Sequence, residues 1–122
     1  MRPGRPGSRC FAGGKGRPPG QPKNPMPVID LHVHTSRGSR DSSLDPVEMI
    51  LEARRVGLDG VVITEHDKTW SRWEIQALRE EYGFLVLRGM EVTTDLGHVL
   101  AIGLDQYVSG IHRAEHLRRV ID

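Results

Sequence analysis

The sequence holds a single cysteine, Cys10. One thiol excludes a disulfide framework and any cysteine-based zinc site within the chain. No run approaches the ~18 consecutive apolar residues of a membrane span, and the N-terminus lacks the apolar core of a secretory signal. With no export signal, the cytoplasm is the expected compartment. Residues 1–27 contain no acidic side chain, yet they carry Arg2, Arg5, Arg9, Arg17, Lys15 and Lys23. Thirteen of these 27 residues are proline or glycine. Such a segment has too little apolar mass to offset its chain entropy, so it is expected to be a disordered basic tail. Its charge would suit weak contact with a polyanion. Its arginine content and lack of acids suit a transit peptide, but proline and glycine spoil the amphipathic helix such a peptide needs.

The overall charge of +1 hides an asymmetry. The tail is +6, while the remaining 95 residues hold 11 basic and 16 acidic side chains and sum to −5. The folded part is expected from residue 28 onward, with Met26 a natural start.

From there apolar and polar stretches alternate regularly. VIDLHV (28–33) reads as a short buried strand and GVVIT (60–64) as a β-branched one. FLVLRGMEV (84–92) and HVLAIGL (98–104) read as two more, joined through TTDLG as a hairpin. DPVEMILEARRVG (45–57) reads as a helix, with Asp45 as N-cap, Pro46 in the first turn and Gly57 as the stop. SRWEIQALREEYG (71–83) carries a Ser71/Glu74 capping box and ends on Gly83. IHRAEHLRRVI (111–121) reads as a third helix with Ile111, Ala114, Leu117 and Ile121 as its buried stripe. Strand, helix, strand, helix, strand is the signature of an α/β protein with a parallel sheet.

Several histidines fall at strand ends. His32 and His34 are two apart on one strand and share a face. His66 follows the second strand, Glu91 closes the third, and His98 opens the fourth. Parallel α/β folds gather their functional residues at the carboxyl ends of strands. Imidazole and carboxylate together suit zinc, manganese or iron. Asp41 adds a hard oxygen ligand from the following loop. Each residue alone is an ordinary polar surface group; their conjunction is what points to metal. A separate pattern, HRAEH (112–116), fits the H-x-x-E-H of one metalloprotease class. The helical stripe turns His112 and His116 toward solvent, which argues against it.

The stretches DLHVHTSRGSRDSSLDP, GLDGVVITEHD, RGMEVTT and GHVLAIG resemble, in kind and order, the first motifs of the PHP (polymerase and histidinol phosphatase) domain. The resemblance covers about residues 28–104. It implies a distorted (β/α)7 TIM-like barrel binding two or three divalent ions, Zn, Mn or Fe, in a cleft at the strand C-termini. It implies His32, His34, Asp41, His66, Glu91 and His98 as metal ligands, with Asp45 a rival to Asp41. The activity implied is that of a phosphatase, phosphodiesterase or nucleotide-releasing exonuclease, in which metal-activated hydroxide attacks phosphorus in line. The substrate would be a phosphorylated small molecule or a nucleic-acid end. Arg37 and Arg40 are candidates to hold the phosphate. Asp67 is a candidate to orient a ligand, to shuttle a proton or to cap the turn before the second helix.

The family's later His-Pro and Asp-x-His motifs do not follow residue 104, so the chain reads as the first half of such a barrel. Two other readings stay open: a metal-binding remnant without catalysis, and an amidohydrolase-like hydrolase sharing only the HxH pattern. An incomplete barrel would also leave a sheet edge open to self-association. Because the tail offers no buried surface, a chain beginning at Met26 is expected to bind divalent metal as tightly as the full chain, by isothermal titration with Mn²⁺. Loss of binding on truncation would show that the tail belongs to the folded unit.

Overall fold

The computed structural model describes residues 26–122. The basic segment before Met26, including Cys10, lies outside the described residues. The elements run β1 (Ile29–Val33), α1 (Pro46–Arg55), β2 (Gly60–His66), α2 (Arg72–Tyr82), β3 (Leu85–Thr94), β4 (Gly97–Ile102) and α3 (Ala114–Ile121). They form one four-stranded sheet in the order β1-β2-β3-β4. The first three strands are parallel, and β4 returns antiparallel to β3. The α/β organisation expected from the sequence is therefore present. No helix among the described residues is long and apolar enough to cross a membrane.

Period-two alternation decides which side chains meet which layer. On β2, Val61 and Ile63 turn to the helix-covered face, where they pack with Met49, Ile50 and Ala53 of α1 and Ile75 of α2. Val86 of β3 joins this cluster, as do Trp70 and Phe84 from the flanking loops. Farther along, Met90, Val92 and Ala101 meet Leu104, Ile111 and Leu117 in a second cluster that seats α3. The opposite sheet face carries Val62, Thr64 and His66 of β2. It also bears Glu91 of β3 and, across the hairpin, His98 and Leu100 of β4.

The helix ends follow their capping chemistry. The Asp45 carboxylate accepts from the Val47 and Glu48 amides, and Pro46 occupies the first turn. Ser71 and Glu74 close a reciprocal capping box, and Gly83 ends α2 at φ 57°. That left-handed conformation is open to glycine without strain.

Several expected boundaries shift. β2 runs on from Thr64 to His66, so His66 closes the strand rather than following it. The hairpin needs only Asp95 and Leu96 as its turn, because β3 runs on to Thr94 and β4 starts at Gly97. The third helix starts at Ala114, three residues later than its apolar spacing suggests. Residues 111–113 are held instead by a staple, in which the Asp95 amide donates to the His112 carbonyl and the Asp95 carboxylate accepts from the Ala114 amide. With that start, Val120 rather than Ile121 packs on the second cluster, and Ile121 is exposed.

Ile63 is fully buried at the centre of the first cluster. Ile63→Ala should therefore cost about 2–5 kcal/mol, through lost burial plus a residual cavity. The shift of the urea unfolding midpoint measures it.

Candidate metal centre

β1 and β2 end at the same rim, and β3 passes beside them. Register pairs His66 with Glu91, while Val33 pairs with Ile63 on the helix-covered side. Alternation then puts His32, His34, His66 and Glu91 on the opposite face. The hairpin pairs Thr93 with His98 and brings His98 onto it too.

Their polar atoms converge on Glu91, whose side chain is buried. Its Oε1 lies 2.7 Å from His32 Nε2 and 2.8 Å from His34 Nε2. Its Oε2 lies 2.5 Å from His98 Nδ1, and His66 Nδ1 stands 3.9 Å from Oε1. The His34 and His66 rings stack with centroids 4.3 Å apart. Two triads result, His32/His34/Glu91 and His66/Glu91/His98, each with its ligand atoms within 4.8 Å of one another. Imidazole nitrogens grouped around one carboxylate fit a divalent transition ion in each triad.

Asp41 reaches the cluster through His66 alone, its Oδ2 lying 2.9 Å from His66 Nε2. The carboxylate is therefore placed to orient that ring or to share an ion with it. Asp45, its rival in the sequence, is committed to capping α1. The Arg37 guanidinium pairs with Glu74 and lies 4.4 Å over the Trp70 ring, so it is engaged away from the cluster. Arg40 is exposed on the same loop. Asp67 adopts φ 54°. Its amide donates to the Glu91 carbonyl and its carboxylate accepts from the Thr93 amide, at 2.9 and 2.8 Å. Asp67 thus bolts the end of β2 to β3 across the His66/Glu91 pair rather than capping α2. His112 lies ahead of α3 and His116 within it, so the H-x-x-E-H residues do not share a helical face.

Sequence reasoning missed Glu65. Its side chain is fully buried on the helix-covered face and takes four hydrogen bonds. Oε1 accepts from the Thr35 amide at 3.0 Å and the Ser39 hydroxyl at 2.6 Å. Oε2 accepts from the Thr35 hydroxyl and from Trp70 Nε1, the latter at 2.9 Å. Gly38 passes so close that a Cβ there would collide with the carboxylate. Ser39 Oγ also lies 3.2 Å from His34 Nδ1 and 3.4 Å from the His66 amide. The available signal was positional: Glu65 alternates with Val61 and Ile63 and so had to face the core.

Burial opposes the charge on Glu65, but the bonds from Ser39, Thr35 and Trp70 outweigh it and hold its pKa below the usual range. Burial likewise opposes the charge on Glu91, and the hydrogen bonds from His32 and His98 lower its pKa all the same. Asp41 raises the pKa of His66 through their hydrogen bond, and its own is lowered by the same contact.

No known family model matches the chain. It is 27% identical over 96 residues to an error-prone DNA polymerase of Cutibacterium acnes, covering 78% of this chain and 8% of the polymerase. An uncharacterized protein of Methanocaldococcus jannaschii is 26% identical over 101 residues, covering 75% of this chain and 59% of that protein. Among solved structures, a protein of Bifidobacterium adolescentis provisionally described as a metal-dependent phosphoesterase superposes with a TM-score of 0.57 at 35% identity. That match covers 79% of this chain and 36% of the other. The chain thus shares its fold with a protein of that description, and it spans only part of the length of each of these relatives.

Two outcomes test the centre. His32→Ala and His34→Ala should each lower bound Mn²⁺ sharply, whereas His112→Ala and His116→Ala should leave it unchanged, by metal analysis of the purified variants. Equal loss in the second pair would move the centre to α3.

The second outcome concerns pH. Glu65 and Glu91 have lowered folded-state values, so their stabilisation is complete above the unfolded range of about 4.3 and is lost as pH falls through those values. His66 is raised, so its contribution is complete below about 6.5 and is lost as pH rises through its folded value. The metal-free chain should therefore be most stable at weakly acidic pH. Urea midpoints across pH should show this, with a flatter acid limb in Glu65→Gln.

Proposed function

We propose that residues 28–122 form the N-terminal part of a PHP domain, a distorted (β/α)7 barrel, and that its activity is metal-dependent hydrolysis of phosphoesters. One observation carries the reading: two ligand triads on one sheet face share the buried carboxylate of Glu91. The similarity to the phosphoesterase-like structure supports it, as does the similarity to a DNA polymerase.

His32, His34 and Glu91 would hold one divalent ion. His66, Glu91 and His98 would hold a second, with Asp41 completing the His66 side. Zn, Mn and Fe all suit these donors. Bound there, such ions supply Lewis-acid chemistry, activating water and neutralising charge on a phosphoryl group. The remaining work falls to the chain's own residues. Glu91 spans the two triads, with Oε1 toward His32 and His34 and Oε2 toward His98. Asp67 holds the β2 and β3 ends in register, which keeps His66 and Glu91 opposed. His32 and His98 are about half exposed, so the rim is open to a ligand from solvent. Arg40 stands on the loop beside this rim and is the guanidinium we assign to substrate phosphate. Arg37 would join it only by leaving Glu74. The substrate class is a phosphorylated small molecule or a nucleic-acid end.

A second reading, in which the two triads bind metal without turnover, rests on the same ligand set. β1 and β4 are the outer strands of the sheet, and we propose self-association there for the chain on its own.

A panel of phosphomonoesters, phosphodiesters and 5′-ended oligonucleotides, assayed with Mn²⁺ or Zn²⁺, tests the proposal. Turnover that needs metal and falls at least about 100-fold in Glu91→Gln supports it. Metal binding without turnover favours the second reading, and failure to bind either ion would sink both.

A further inference from the structure

The bonds around Glu65 fix the position of one proton in the metal centre. The Thr35 amide and Trp70 Nε1 are obligate donors, one to each Glu65 oxygen. An ionised carboxylate only accepts, so the single proton of Ser39 Oγ is spent on Glu65 Oε1, 2.6 Å away. Ser39 Oγ is then left with two lone pairs. One faces the His66 amide at 3.4 Å and the other faces His34 Nδ1 at 3.2 Å. If Nδ1 were bare, two lone pairs would oppose each other beside a buried serine. If Nδ1 carries a proton, Glu65, Ser39 and Nδ1 are all satisfied.

The other end of the ring pulls in the opposite sense, because His34 Nε2 stands 2.8 Å from Glu91 Oε1. The two demands are unequal. Glu91 already has His32 against Oε1 and His98 against Oε2, so it does not depend on a proton from His34. Ser39 has no other group to fill its second lone pair among its hydrogen bonds in the described residues.

We propose that Glu65 is a positioning residue: acting through Ser39, it keeps a proton on Nδ1 of His34 and so commits Nε2 to the metal. The proton assignment stands on these bonds alone; the presentation of Nε2 to an ion rests on the phosphoesterase reading above. Gly38 serves the same device, since only a residue without Cβ lets the loop close over the carboxylate.

The test is a long-range ¹H–¹⁵N correlation spectrum of the metal-free full chain at about pH 8, where an ordinary histidine is neutral. His34 is expected to show a protonated Nδ1. Ser39→Ala should move the proton to Nε2 and weaken Mn²⁺ binding by about 10–100-fold, the usual cost of losing a partner behind a ligand. Ser39→Thr, which keeps the hydroxyl, should retain the wild-type signature. A wild-type His34 with a bare Nδ1 would overturn the proposal, and this needs no variant to fold. A Ser39→Ala chain with unchanged tautomer and affinity would overturn it as well. A protonated Nδ1 in a chain that binds neither Mn²⁺ nor Zn²⁺ would uphold the proton assignment while sinking the phosphoesterase reading.

Discussion

An ionised carboxylate fully enclosed at the end of β2 is the constraint around which the site is built. Desolvating such a charge costs several kcal/mol unless each lone pair finds a donor. Glu65 therefore requires donors from two directions: Thr35 and Ser39 from the loop after β1, and Trp70 from the loop after β2. Meeting that demand draws the 35–39 loop down onto the sheet. The same demand fixes where the chain leaves β1, and with it the direction in which His34 points. The indole that serves Glu65 also packs in the first apolar cluster. Core and site thus meet in one side chain.

On the other face of the sheet the electrostatic problem is reversed. Glu91 is buried among four imidazoles, none of which carries an obligate charge. Without an ion, their lone pairs and protons must be shared around one carboxylate. The 3.1 Å approach of His32 Nε2 to His34 Nε2 shows how closely the ligand atoms are drawn together. The two carboxylates work on opposite faces of the sheet: Glu65 anchors the loop from within the core, and Glu91 gathers the rings on the open face.

Much of this was legible in the sequence. The alternation of β-branched runs with capped amphipathic stretches identified the α/β order. The i, i+2 spacing of His32 and His34 placed them on one face, because strand periodicity is short and strict. Glu91 and His98 were legible as candidate ligands, and the hairpin made them neighbours. Glu65 was not, since a buried acid is recognised by its donors, and all but Trp70 come from Thr35 and Ser39, about thirty residues earlier. The surroundings of Arg37 were hidden for a similar reason. A loop arginine beside a ligand reads as a phosphate contact, while its partners Glu74 and Trp70 lie on a stretch that only folding brings near. The start of α3 also depended on a distant group, the Asp95 carboxylate, which no helical periodicity reveals.

The two-residue turn between β3 and β4 has a consequence for how this chain can vary over evolutionary time. The Thr93/His98 pairing depends on that length. One residue added or removed would slip β4 by one position and turn every side chain on it to the other face. The strand would survive, with Ala101 and Val99 exchanging layers with Leu100 and His98. The protein would then keep its hairpin and lose the imidazole of His98 from the cluster. Hairpin tips are ordinarily where insertions are tolerated best; here the tip is a place where neutral drift in length is closed off, although Leu96 at its apex is highly exposed.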